Sequence, residues 1–194
     1  MPHQKLLQNI ARHVRLSENE ITVFRRFWKE TTIQKGDYLL RNGDVCKYDS
    51  YVSSGLFKAY CINADNGDEE ILFFAADDWW ASDLDSFSKR KPSIYNIQAL
   101  QTSTVLQINV TDFEELLQQL PVLERYFRII LENYLATLQK RIIHRHIFDA
   151  ERRYYDFLEH YPHIASAVPQ YLIASYLGVS AEFLSRIRRK NKTS

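Results

Sequence analysis

Hydrophobic positions along this chain recur with two different periods. Over residues 4–15 they fall at Leu6, Leu7, Ile10 and Val14, which share one face of a helix. Ser17 and Glu20 form a capping box for a second helix through Ile21, Phe24 and Trp28. From Thr32 the period shortens. Gly36-Asp37, Asn42-Gly43-Asp44, Gly55 and Asn66-Gly67-Asp68 punctuate apolar runs at residues 38–40, 51–52, 56–60 and 70–74, and residues 94–100 and 104–108 continue the series. Short strands between regularly spaced turn signals predict an antiparallel barrel or double-sheet roll.

The helical period returns at Thr111, a capping residue ahead of Phe113, Leu116 and Leu117. After Pro121 a long stretch, 122–148, has no Gly or Pro. Phe127, Leu131, Tyr134, Leu138 and Ile142 recur in it at alternating steps of three and four, a coiled-coil seam. The stripe could simply pack on its own barrel. A long helix between two domains more often offers a face to a second copy, so a homodimer is expected. A further helix over 150–160 precedes a break at Pro162. The division that follows is a barrel with flanking helices over 1–120, a long linker and dimerisation helix over 121–148, and a C-terminal domain over 149–194, with a hinge near residues 146–149.

Residues 169–190 split into two amphipathic segments around Leu177-Gly178-Val179. Ile173, Leu177, Val179, Leu184 and Ile187 fall where two crossed helices share a small core, and Ala174 is small where they approach. Gly178 can take the positive φ of a tight inter-helix turn, and Ser180 caps the second helix. That helix turns Ala181, Glu182, Ser185, Arg186 and Arg189 outward, with Arg188, Lys190 and Lys192 also in its basic second half. The reading is a helix-turn-helix whose second helix enters the major groove of double-stranded DNA. A solvated basic hairpin is the bland alternative, but it explains neither the small Ala, the turn Gly nor the capping Ser.

Composition sharpens this picture. Net charge is only +1 over 194 residues, yet charge is segregated: residues 64–85 hold eight acids and no Lys or Arg, whereas the C-terminus is basic. One end of the molecule is suited to a polyanion. The two cysteines, Cys46 and Cys61, have no metal-ligand spacing and cannot supply the four thiolates of an iron–sulfur cluster; single buried thiols are expected, with a disulfide left open. The N-terminus lacks a signal-peptide pattern and no run of about 18 apolar residues could span a bilayer, so a cytoplasmic protein with no membrane partner is expected. An enzyme reading finds no catalytic or metal site. His144 and His146 point to different faces of one helix, residues 32–108 contain no His, and no phosphate loop or nucleophile elbow occurs.

Barrel, long helix and terminal helix-turn-helix, in that order, resemble the Crp/Fnr family of bacterial transcription regulators. Residues 36–44 look like the family's first barrel hairpin, and residues 173–186 look like its helix-turn-helix. The segment 169–190 is similar to that of a Bacteroidetes-type branch. The resemblance implies an α+β fold: an N-terminal double-stranded β-helix (jelly-roll) barrel with flanking helices, a long dimerisation helix, and a helix-turn-helix domain. Little room is left for the family's wing. It also implies a homodimer on an inverted-repeat operator, with RNA polymerase as a further partner.

In the family, a Gly-Glu-Leu run holds the ribose of a cyclic nucleotide and an Arg followed by Ser or Thr holds its phosphate. Here Ser82-Asp83-Leu84 and Ser93-Ile94 stand at those places. Asp83 could bond a ribose, but the phosphate-binding Arg is absent and the nearby acids repel a phosphate. No cofactor is expected, and cyclic AMP is not expected to bind. Lys89, Arg90 and Lys91 read as a solvated surface run. Trp79 and Trp80 complete a candidate pocket for an uncharged or weakly acidic effector, at least one of them being core.

On DNA, the family's recognition helix typically has Arg-Glu near its start and Arg one turn later. Here Ala181-Glu182 and Arg186 occupy those places. Glu182 can accept from cytosine and Arg186 can pair with guanine, with Ala181 and Ser185 also at base edges. Ser180, Arg188, Arg189 and Lys190 are expected at phosphates. A barrel that senses protein contact, or senses nothing, remains the alternative to a small-molecule sensor.

Overall fold

The computed structural model describes residues 1–192, with side chains through Arg189. Helix α1 (Pro2–Ala11) buries Leu6 and Ile10, and α2 (Glu18–Phe24) starts at the expected capping box, in which Ser17 and Glu20 bond each other's backbone N–H. The second helix is shorter than the sequence suggests. It tightens into a 3-10 turn over Arg25–Phe27, and Trp28 already has extended backbone leading into a strand.

Seven strands follow: β1 (Lys29–Ile33), β2 (Tyr38–Leu40), β3 (Tyr48–Ser54), β4 (Leu56–Ile62), β5 (Glu69–Ala76), β6 (Asn96–Ala99) and β7 (Ser103–Asn109). They form two antiparallel sheets, ordered β1-β7-β3 and β2-β6-β4-β5. Strand β1 was not expected. It pairs with β7 from Lys29↔Gln107 to Ile33↔Ser103. The turn joining β3 to β4 requires glycine: Gly55 has φ of 124°, and a Cβ there would collide with Ser103.

Successive side chains point to opposite faces of a strand, and here both faces are covered. Val52 and Val105 face inward with Phe57, Ala59, Ala75 and Ile97, filling the space between the sheets. Tyr51, Leu106 and Ile108 face outward beneath α1, α2, α4 (Val110–Gln119) and the start of α5 (Val122–Ile147). The cap of α4 is Asn109 rather than Thr111. Asn109 accepts from the Asp112 N–H at 2.9 Å and its own amide donates to the Asp112 carboxylate at 2.6 Å.

The outer face of the four-stranded sheet is covered as well. Leu56, Tyr60, Ile71 and Phe74 pack against α6 (Ala150–His160), α7 (Pro162–Ala167), α8 (Gln170–Leu177) and α9 (Ala181–Lys192), sharing one core with Phe157, Ile164, Ile173 and Leu184. Pro162 begins a short helix instead of only ending one, because its missing N–H costs nothing at a first helical position. Beyond Ile147 every regular element among the described residues is a helix. No helix among them is long and apolar enough to cross a membrane.

Candidate functional site

Two places collect the residues singled out by sequence. The first is the α8–α9 pair. Gly178 takes φ of 69°, its N–H donates to the Ser175 carbonyl at 3.0 Å, and the Val179 N–H donates to the Ala174 carbonyl at 3.0 Å. This Schellman arrangement ends α8 and redirects the chain. Ser180 then caps α9, its hydroxyl accepting the Phe183 N–H at 3.1 Å. Leu184 and Ile187 are 1% and 5% exposed and hold α9 on α8, leaving Ala181, Glu182, Ser185, Arg186, Arg188 and Arg189 at the surface. The Lys190 and Lys192 side chains lie outside the described residues. Hydrogen bonds from the backbone and from Ser180 hold the Glu182 carboxyl below its ordinary value, so it is an ionised acceptor at neutral pH. Phe183, not singled out by sequence, is exposed on the same helix, and the Arg186 guanidinium carbon lies 5.5 Å from its ring centroid. Its only sequence signal was an aromatic side chain off the helix's apolar spacing.

The second place is a cavity of about 970 Å³ between the barrel, α5 and the C-terminal helices. Trp79, Trp80, Ser82, Asp83 and Leu84 line it, whereas Ile94 is 80% exposed and is not among the lining residues. Ser93 is buried, and its hydroxyl donates to Asp83 at 2.7 Å. Asp83 also caps α3 (Leu84–Lys89), accepting the Asp85 and Ser86 N–H groups. The residues present do not fit a cyclic phosphate: both Asp83 oxygens are engaged, the Ser93 hydroxyl bonds Asp83 and Tyr95 and no Lys or Arg among the described residues, and Lys89 and Lys91 are at the surface, ion-paired with Asp85.

The two tryptophans divide their roles. Trp80 is wedged between Trp28, Tyr51 and Phe127 at centroid distances of 5.8, 5.6 and 5.5 Å, with its N–H on the Tyr126 hydroxyl at 3.2 Å. Trp79 meets Tyr161, at the end of α6, edge-on at 5.7 Å.

Helix α5 splits the predicted seam. Phe127 packs on Trp80, Phe113 and Tyr126, so at that position the stripe serves its own barrel. Leu131, Tyr134 and Leu138 line the cavity, while Leu131, Leu135 and Ile142 are 48%, 57% and 61% exposed. Further along α5, Arg141 bridges three elements. Its guanidinium donates to the carbonyls of Leu72, Ile71 (3.3 Å) and Tyr176 (3.1 Å) and lies 4.1 Å from the Tyr176 ring centroid. Beside it, Ser175 donates to the Glu69 carbonyl at 2.6 Å and accepts the Ile71 N–H at 3.0 Å. The open edge of β5 is thereby capped by α5 and α8.

Both thiols are free. Cys46 is buried, which pushes it up to about 11, and Cys61 is half-buried on β4. No group of three or more His, Cys, Asp or Glu side chains able to hold a metal occurs among the described residues.

Residues 30–120 match the cyclic nucleotide-binding domain family. The transcriptional activator protein anr of Pseudomonas aeruginosa is 27% identical over 168 residues, which covers 80% of this chain and 67% of that protein. The match thus places a cyclic nucleotide-binding domain on residues 30–120, and this relative is named as a transcriptional activator. The fold is that of FixK2 from Bradyrhizobium japonicum, with a TM-score of 0.73 at 16% identity over 86% of this chain and 85% of that one. A Crp/Fnr-family regulator from Eubacterium rectale aligns with a TM-score of 0.68 at 19% identity, covering 92% and 84% of the two chains.

Proposed function

We propose that this chain is a Crp/Fnr-type transcription regulator, a cytoplasmic homodimer that places α9 in the major groove of each half of an inverted repeat. The observation that carries the reading is the division of α9 itself: Leu184 and Ile187 face the domain core, while Glu182, Ser185 and Arg186 face solvent. Arg186 offers paired donors to guanine O6 and N7, and Glu182 an acceptor to the cytosine amine. Ala181 gives an apolar contact only, and Ser180, Arg188, Arg189 and Lys190 serve phosphates. The exposed apolar row of Leu131, Leu135 and Ile142 supports pairing of α5 with its copy about a two-fold axis. The Pseudomonas relative's name, a transcriptional activator, supports RNA polymerase as a further partner.

The test is binding to a pool of random duplexes at several salt concentrations. Log affinity should fall linearly with log salt, and the slope should drop by about one unit for each of Arg188 and Arg189 replaced by Ala in a protomer. No binding, or a salt slope indifferent to both arginines, would overturn the proposal.

A further inference from the structure

We propose that the cavity between the barrel and the C-terminal helices takes an uncharged, largely apolar aromatic molecule rather than a nucleotide or any other anion. This rests on reading the barrel as a sensor. The volume of about 970 Å³ is that of a small-molecule site. Rings are the largest class of side chain on its walls, contributed by the barrel (Phe74, Trp79), α5 (Phe127, Tyr134) and α8 (Tyr176) among others.

The charged groups on those walls argue against an anion. Asp49, Asp78, Asp83, Asp85 and Glu114 line the cavity, and Arg141 is the only Lys or Arg among its described lining residues. Arg141 is already engaged with three backbone carbonyls and the Tyr176 ring. An anion would either draw it off those carbonyls or lie unpaired in an acidic wall, and both are costly. Nor do the acids call for a cation in their place: Glu114 is exposed to solvent, and the other four are already bonded. Asp78 is bonded to Tyr51, Asn9 and Arg12, Asp85 is paired with Lys89 and Lys91, and Asp83 holds Ser93 and the start of α3. Asp49 accepts from Ser82 and from the Ser50 N–H. What this wall offers a ligand is ring surface. Such a ligand would also touch the DNA-reading domain directly, because the Phe74 and Tyr176 rings meet in this wall at 5.6 Å.

Two probes share one aromatic skeleton and differ by a sulfonate: N-phenyl-naphthylamine and anilinonaphthalene sulfonate. In fluorescence titrations of the full chain, the uncharged probe should saturate one site, with the sulfonate about tenfold or more weaker. Thr137 lines the cavity from the exposed side of α5. Thr137→Trp should weaken the uncharged probe about tenfold by filling space, and Thr137→Arg should bring the sulfonate's affinity up toward that of its partner. Ile62→Asp, at an exposed apolar position of β4 outside this cavity, should leave the uncharged probe unchanged. Tighter binding of the sulfonate, no binding of either probe, or loss with Ile62→Asp but not Thr137→Trp would overturn the proposal. The titration contains no DNA, so failure of operator recognition would leave its result standing, and the reverse.

Discussion

Ser93 and Asp83 are bonded to each other, hydroxyl to carboxylate at 2.7 Å, and both are buried. They stand where the family resemblance places a phosphate-binding arginine and a ribose-binding carboxylate. In this chain the two positions close on one another, and Asp83 turns its other oxygen to the N–H groups that start α3.

Cyclic AMP and cyclic GMP should therefore bind very weakly. Ser93 offers no positive charge, and Asp83 already accepts three donors, so a ribose hydroxyl would have to displace one of them or compete for the remaining lone pair. Calorimetry should detect no saturable heat at micromolar nucleotide. Micromolar affinity for either one would show that Lys89 and Lys91 can leave Asp85 and serve as the phosphate anchor.

Assembly should depend on the solvent-facing row of α5. Leu131→Asp or Leu135→Asp places a charge in an apolar contact and should shift the protein from dimer to monomer in sedimentation at micromolar concentration. Phe127→Asp should act differently, because Phe127 packs on Trp80 and Phe113. It should lower the unfolding temperature of the barrel itself. A wild-type protein that sediments as a monomer would remove the dimer from the account.

Arg141 should hold the C-terminal helices on the barrel. Arg141→Gln takes charge-assisted donors from the carbonyls of Ile71, Leu72 and Tyr176, at a cost of about 3 kcal/mol. Hydrogen exchange should quicken at the end of α8 and along β5 before it quickens in β7. Unchanged exchange at those amides would mean that Ser175 and the shared apolar core suffice.

Stability should fall as pH rises between about 4 and 6 because of Asp49. Burial raises its carboxyl from the ordinary 3.8 to about 6, so the folded chain keeps a proton that the unfolded chain has already released. Below about pH 4 both states are protonated. Across the window the folded state loses ground, and above about pH 6 the loss levels off on the order of 3 kcal/mol. Asp49→Asn removes this titration. Denaturant unfolding of the two proteins across the window should thus show wild type losing stability relative to the variant, and a constant difference would contradict the assignment.

What was legible in the sequence was local. Gly178, Ser180 and the spacing of Ile173, Leu177, Leu184 and Ile187 define two helices and their turn within a few residues of each other, and the structure forms them so. Strand β1 was illegible because it is an edge strand, Lys-Glu-Thr-Thr-Ile, half-exposed along its length and paired with residues far along the chain. The period of α5 fixed a helix but not how far the barrel covers it: Phe127 packs on Trp80 and Phe113, while Leu131, one turn on, is 48% exposed. Leu56, Tyr60, Ile71 and Phe74 are as hydrophobic as residues of the barrel interior. They are the outer face on which the C-terminal helices dock, and only the register of the strands separates the two sides. For the candidate cavity, Trp79, Trp80 and Asp83 were found, but Arg141 and Tyr176 were not, because their convergence depends on how the helices pack on the sheet.

The central claim is that α9 reads bases, and selection of bound sequences from random duplexes tests it most directly. Wild-type protein should recover an inverted repeat whose half-site centres lie about 34–36 Å apart. Arg186→Ala should recover a motif relaxed at one base pair of each half-site, with affinity for the original site reduced by about 1–3 kcal/mol. Recovery of no palindrome by the wild type, or of an unchanged motif by Arg186→Ala, would contradict the account.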